Sequence, residues 1–205
     1  MTRTLVVMVK DPQAGRVKTR LARGIGAVGA VQFYRHATRA VLARAISARE
    51  WHTVLAVSPD VALHARTFPY DIHRTPQGRG DLGQRMQRIM ERAPPGPVLI
   101  IGSDSPGITA THIRDGFKAL GNNDAVFGPA PDGGYWIVGF KRFPRIPRAF
   151  QNVRWSSEHA LADTRANLAD MRIALICELY DVDEAKDLAA MKGRSGRVVM
   201  TKSTV

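Results

Sequence analysis

Three short stretches carry residues whose types and order could handle a phosphorylated substrate. Lys10, Arg16, Lys18 and Arg20 stand in and just after a loop punctuated by Pro12 and Gly15. Cations alternating at the end of a strand can neutralise a di- or triphosphate. The loop is not a P-loop, because Gly15-Arg16-Val17-Lys18-Thr19 lacks the glycine that should precede the lysine. The second stretch is Gly102-Ser103-Asp104-Ser105-Pro106, a single carboxylate in a turn. Asp104 could cap the next helix or hold a metal. Pro106 and Gly107 separate it from that helix, and a carboxylate beside a cationic phosphate loop suits Mg2+ or Mn2+, with substrate phosphates and water completing the shell. The third is Asp132-Gly133-Gly134-Tyr135. A tight turn accounts for the Asp and the glycines. It does not account for Tyr135 and Trp136, which could form a platform for a sugar or base. Asp132 is the candidate general base or acceptor-positioning group. Asp181-Val182-Asp183 offers two more carboxylates; acidic residues favoured by a helix N-terminus are the simpler reading there.

These residues need elements to position them, and the apolar pattern supplies them. Thr4-Leu5-Val6-Val7-Met8-Val9 reads as a first strand ahead of the cationic loop. Tyr34, Ala37, Val41, Leu42 and Ala45 recur at helical spacing, which predicts a helix over 27–48. Thr53–Val57 is a second strand, and Tyr70–His73 a short third one. After the loop Gln77-Gly78-Arg79-Gly80, Asp81 opens a helix with Leu82, Met86, Ile89 and Met90 on one face. Val98-Leu99-Ile100-Ile101 reads as a strand buried on both faces, with Asp104 just past its carboxyl end. A helix over 109–120 and a strand over 124–129 follow. Tyr135–Phe140 then returns as a hairpin partner. Ser156 or Ser157 is expected to cap a helix reaching Met171, and Ile173–Cys177 to form a late strand that buries Cys177. Strands alternating with helices predict one three-layer α/β domain with a mainly parallel sheet. The domain is expected to span 1–192, followed by a polar tail over 193–205.

The remaining signals exclude more than they add. One cysteine in 205 residues leaves no disulfide framework, and no secretory leader or membrane span is apparent, so a cytoplasmic protein is expected. The net charge of +12 calls for an anionic partner, but the arginines are scattered and no nucleic-acid motif accompanies them. A basic nucleic-acid-binding protein is therefore the remote alternative. Gly24-Ile25-Gly26-Ala27-Val28-Gly29 matches a dinucleotide fingerprint in letters only, since no strand immediately precedes it; a glycine-rich helix entry fits better. The histidines show no ligand spacing, and no Gly-x-Ser-x-Gly elbow supports nucleophilic hydrolysis.

Taken together, Lys10-x-Pro12-x-x-Gly15-x-Val17-Lys18-Thr19-Arg20-Leu21, Gln77-x-x-Gly80-Asp81-Leu82-Gly83-x-Arg85-Met86, Gly102-Ser103-Asp104-Ser105-Pro106, Gly128-Pro129-Ala130-x-Asp132-Gly133-Gly134-Tyr135 and Trp155-Ser156 carry a likeness over residues 3–190. The chain resembles the small bacterial glycosyltransferase-like family related to arsenosugar-biosynthesis glycosyltransferases, which has the GT-A, nucleotide-diphospho-sugar transferase fold. It is more weakly similar to molybdenum-cofactor and phospholactate guanylyltransferases. The resemblance implies a phosphate loop made by Lys10, Gly15, Arg16, Lys18 and Arg20. It implies that Gln77, Gly80, Asp81 and Gly83 help enclose the nucleotide and that Asp104 binds the metal. It places Asp132, Gly133, Gly134, Tyr135, Trp155 and Ser156 on the acceptor side. GT-A transferases usually carry Asp-x-Asp; here Pro106 stands at the third position, so the turn supplies one carboxylate. The expected activity is metal-dependent transfer of a sugar from a nucleotide-sugar to a small-molecule acceptor. The alternative is nucleotidyl transfer, in which an NTP and a phosphorylated acceptor release pyrophosphate.

Overall fold

The computed structural model describes residues 2–182 and 184–189. The expected tail over 193–205, and Asp183 as a possible metal ligand, lie outside the described residues. Seven strands form one sheet in the order β3-β2-β1-β4-β6-β5-β7. They are β1 (Thr4–Lys10), β2 (His52–Ser58), β3 (His73–Pro76), β4 (Val98–Gly102), β5 (Ala125–Pro129), β6 (Tyr135–Phe140) and β7 (Ile173–Leu175). All pairings are parallel except those of β6, which runs antiparallel to both β4 and β5. The helices are α1 (Thr19–Ser47), α2 (Leu82–Arg92), α3 (Ala110–Asn122) and α4 (Ala160–Ala166), with a 3-10 turn at Asp60–Ala62. The three-layer, mainly parallel α/β architecture expected from the sequence is the one observed.

The alternation within the strands explains the layers. In β1, Leu5, Val7 and Val9 pack with Val41, Leu42 and Ala45 of α1 and with Ile113, Phe117 and Leu120 of α3. Val6 points the other way, into a cluster with Met86, Ile89 and Met90 of α2. A strand covered on both faces must be apolar where it is covered, as β1 is from Leu5 to Val9 and β4 from Val98 to Ile101. Asp81 and Gln84 form a reciprocal capping box at the start of α2, and Thr109 and His112 do the same for α3. Among the described residues no helix is long and apolar enough to cross a membrane.

Four local expectations change. The helix expected over 27–48 is the second part of α1; a first part begins at Thr19, and Gly26, at φ 78° and ψ 159°, breaks the two apart. Glycine takes that conformation without a Cβ penalty, so the glycine-rich segment joins two helical pieces, and Arg20 is helical. The third strand lies at His73–Pro76 rather than Tyr70–His73, because Tyr70 and Asp71 form a turn and pairing with Val54–Val57 begins only at His73. Helix α4 is shorter than expected at both ends. Its N-cap His159 makes no side-chain cap bond; Ser157 Oγ donates to the Arg154 carbonyl and accepts from His159 N, ahead of the first helical residue. Cys177 is exposed, since β7 ends at Leu175.

Candidate functional site

Parallel register brings the chemistry to one edge of the sheet. Lys10 at the end of β1 pairs with Ser58 at the end of β2, and Met8 pairs with Gly102 at the end of β4. Because β6 is antiparallel, its first residue, Tyr135, arrives at the same edge. In open α/β sheets this edge is where ligands bind. Here it carries an open cavity of about 500 Å³, bordered by Lys10, Arg16, Lys18, Arg20, Gln77 and Asp104 among others. That volume is within the range of small-molecule sites.

Lys18 is the residue around which the cationic segment turns. It takes the left-handed conformation, φ 46° and ψ 48°, immediately before α1 begins. Its side chain is 5% exposed and its Nζ lies 3.0 Å from Asp104 Oδ2. The lysine of the cationic segment and the carboxylate after β4, separate motifs in the sequence, are thus one ion pair on the cavity wall. Behind them sits Tyr34, buried on α1. Its hydroxyl accepts from Lys10 N at 2.7 Å and exchanges a hydrogen bond with Ser103 Oγ at 3.0 Å. One phenol therefore ties the end of β1 to the turn after β4. Burial raises the Tyr34 pKa above the ordinary tyrosine value, so the hydroxyl stays protonated. Gln77 is also buried. Its Nε2 donates to the carbonyls of Val9 at 3.1 Å and Ala56 at 2.8 Å, which leaves Oε1 as the acceptor end of a fixed side chain.

Comparison with known proteins bears on the family and the fold. Residues 41–157 match the family described as "Uncharacterized protein conserved in bacteria (DUF2064)". The chain belongs to that family. No curated protein matches the sequence. Among solved structures, a candidate nucleotide-diphospho-sugar transferase from Desulfovibrio desulfuricans G20 superposes with a TM-score of 0.87 at 26% identity, over 100% of this chain and 92% of that one. The 4-diphosphocytidyl-2C-methyl-D-erythritol synthase of Anaerococcus prevotii DSM 20548 aligns with a TM-score of 0.59 at 10% identity, over 95% and 98% of the two chains. Rv0371c of Mycobacterium tuberculosis H37Rv, in complex with manganese, aligns with a TM-score of 0.57 at 17% identity, over 93% and 97%. The last two likenesses concern the fold alone. The fold of this DUF2064 chain is thus the nucleotide-diphospho-sugar transferase fold to which the sequence motifs pointed.

A second cavity, of about 540 Å³, adjoins the first and shares Arg20, Leu82, Tyr135 and Asp181 with it. Asp132, Gly134, Trp155 and Ser156 border this second cavity and not the first. Asp132 Oδ1 accepts from Gly134 N at 2.9 Å, so one carboxylate oxygen serves the turn. The segment carrying Trp155 is held by Arg154, whose backbone N–H and guanidinium both donate to Asp163 of α4, at 3.0 Å and 2.8–2.9 Å. Gly133 makes the turn possible: it sits at φ 81°, and a Cβ there would collide with the Glu158 backbone.

Other expected residues lie off the cavity walls. Gly15 is exposed at φ 74° and lines neither cavity. Asp81 is the N-cap of α2, and Gly80 holds Arg85 through its carbonyl, which accepts from Arg85 Nε at 2.9 Å. Gly83 lets α2 approach Phe150 and Trp155; a Cβ would lie 2.7 Å from the Phe150 carbonyl oxygen. The structure also adds residues that sequence reading did not place here. Tyr34 reads as part of the buried face of its helix, and Arg85, quoted in the Gln77–Met86 stretch without a role, borders the first cavity. Asp181 reads as a helix-start acid, yet it borders both cavities and accepts from Ser105 Oγ. Its only advance signal is the paired-acid spelling Asp181-Val182-Asp183.

The donor set fits a divalent cation that brings phosphates with it. Asp104 and Asp181 both border the first cavity, and Ser105 connects the Asp104 turn to Asp181. Among the described residues no group of three or more His, Cys, Asp or Glu forms a metal cluster. Two carboxylates with room for phosphate and water suit Mg2+ or Mn2+ better than a self-sufficient protein cage.

Proposed function

We propose that this protein is a metal-dependent transferase acting on a nucleotide-sugar, with the nucleotide diphosphate in the first cavity and the sugar acceptor in the second. The observation that carries the reading is the Lys18–Asp104 pair at the joined carboxyl ends of β1 and β4, opening into two contiguous cavities. The 26%-identical relative described as a candidate nucleotide-diphospho-sugar transferase supports the substrate class. The proposal treats residues 1–192 as one domain.

In the proposed reaction, the bond between the sugar's anomeric carbon and the diphosphate oxygen breaks. A new bond forms from that carbon to an acceptor oxygen. The electron pair of the broken bond leaves with the nucleoside diphosphate, where charge grows. Arg16, Lys18 and Arg20 stabilise that charge in place, which lowers the barrier more than it tightens ground-state binding. Bound Mg2+ or Mn2+, held by Asp104 and Asp181, would supply further charge neutralisation at the leaving group. Asp132 takes the acceptor proton or orients the acceptor, while Tyr135 and Trp155 provide apolar faces beside it.

Nucleotidyl transfer is the second reading. Five cations, Lys10, Arg16, Lys18, Arg20 and Arg85, border the first cavity, enough for a triphosphate. Incubation with nucleotide-sugars and with NTPs, each with Mn2+ and candidate acceptors, separates the two. Release of free nucleoside diphosphate is expected for glycosyl transfer; pyrophosphate release from an NTP replaces the first reading by the second. Lys18→Ala is expected to lower turnover by about 100-fold, the scale of losing one preorganised charge donor. Unchanged turnover in that variant removes the phosphate-grip role.

A further inference from the structure

We propose that the groove between α1 and the 66–70 loop is a second ligand site, built for a small phosphate monoester carried on an apolar or aromatic body. The groove encloses about 680 Å³, within the range of small-molecule sites. Tyr34 borders both this groove and the first cavity.

Its charge is all of one sign. Arg35 and Arg39 project from α1, Arg66 comes from the facing loop, and no carboxylate lines the groove. Among the described residues none of these three guanidiniums has a hydrogen-bond or ion-pair partner. Arg35 and Arg39 are four apart on one helix face, where like charges repel. An anion shared between them relieves that repulsion, and guanidinium geometry suits phosphate oxygens. The arginines elsewhere that face backbone are used differently: Arg44 donates to the carbonyls of Pro106 and Ile108, and Arg142 to those of Pro94, Gly96 and Ala93.

The rest of the lining is apolar and held in place. Leu42 and Ile46 continue the α1 stripe, and Tyr70 stands opposite with 72% of its surface exposed. The loop that carries Tyr70 is pinned from behind by Arg74 of β3. The Arg74 guanidinium donates to four carbonyls, those of Leu63, Ala65, Phe68 and Pro69, at 2.9–3.2 Å. It also lies 5.6 Å from the Tyr70 ring centroid. A wall fastened at four points is preformed, so a ligand does not have to order it. Three unpartnered cations and a fixed aromatic wall call for both halves of the ligand: a phosphate for the arginines and a flat or apolar body for Tyr70, Leu42 and Ile46.

Amide chemical-shift titrations of the full chain with phenyl phosphate and with inorganic phosphate test this. Saturable shifts are expected at residues 35–46 and 66–70, with phenyl phosphate about threefold or more tighter than inorganic phosphate because of the apolar wall. Arg39→Ala and Arg66→Ala should each weaken phenyl phosphate about tenfold, the scale of one charge-assisted bond. Both side chains are exposed, so the fold should survive; an unchanged melting temperature for each variant confirms it. Arg39→Lys should recover part of the affinity. Lys18→Ala should leave these shifts unchanged, which separates this site from the first cavity. The proposal is overturned if shifts appear only around Lys18 and vanish in Lys18→Ala. It is equally overturned if the two phosphates bind alike, or if the arginine variants bind as the parent does.

Discussion

Replacing Tyr34 by Phe removes one oxygen and leaves two groups short of a partner, the Lys10 amide and the Ser103 hydroxyl. Leaving a buried donor unsatisfied costs about 1–3 kcal/mol. In a domain of this size that lowers the melting temperature by about 2–4 °C per kcal/mol. Calorimetry of Tyr34→Phe is expected to show a drop in that range, together with a raised KM for the nucleotide substrate, because the ends of β1 and β4 are no longer tied. A drop in stability with KM unchanged would make Tyr34 a core residue only. At this scale the sequence is informative where chemistry is local. Lys18 and Asp104 stand out by type and by their place after apolar runs. Tyr34 does not, because its meaning depends on a partner 69 positions away. Asp181 is similar: within its own segment it looks like a helix-start acid, and only the fold carries it to Ser105.

Element α4 matters to the site through one pair. Asp163 accepts side-chain and then backbone hydrogen bonds from Arg154, and these hold its carboxyl well below the usual carboxylate range. A depressed carboxylate contributes stability that is fully present above the unfolded pKa, about 3.9, and is lost as pH falls through the lower folded value. The parent is therefore expected to lose stability in acid more steeply than Asp163→Asn, and the gap between their melting temperatures should close below pH of about 4. A constant gap across that range would show that the pair adds no pH-dependent stability. Because Arg154 precedes Trp155 and Ser156, the same variant should loosen the wall of the second cavity. Element boundaries were legible where periodicity and caps coincide, as in α2 and α3. They were misplaced where tertiary bonds compete with local ones. Arg74 draws four carbonyls of the 63–69 loop toward itself, and β3 starts three residues later than the apolar letters imply. Asn167 likewise turns its amide to the Ala149 and Gln151 carbonyls, and α4 ends there.

The whole molecule combines a strongly basic surface with a site that holds its own carboxylates close. With Lys18 already on Asp104, metal alone should bind weakly, and nucleotide and metal should bind together. A nucleotide at a hundredfold excess over its Kd stabilises by about 2.7 kcal/mol, which is on the order of 5–10 °C in melting temperature for a domain of this size. A panel of nucleoside diphosphates and nucleotide-sugars is expected to give such shifts with Mn2+ present and much smaller ones with either component alone. An equal shift from Mn2+ alone contradicts this reading. The layered architecture was readable from the alternation of apolar strands and amphipathic helices, since that pattern is imposed by burial on both sheet faces. The pairing of the two cavities was not, because it depends on β6 running antiparallel and delivering Tyr135 to the edge where β1 and β4 end. The Ser105–Asp181 bond spans 76 positions of the chain. During synthesis, the segment that carries the cations leaves the ribosome early, while the acid that borders both cavities follows long after. A nascent chain stopped before residue 181 would carry the cationic loop without the carboxylate that borders both cavities, so the two cavities can be completed only late in the protein's own synthesis.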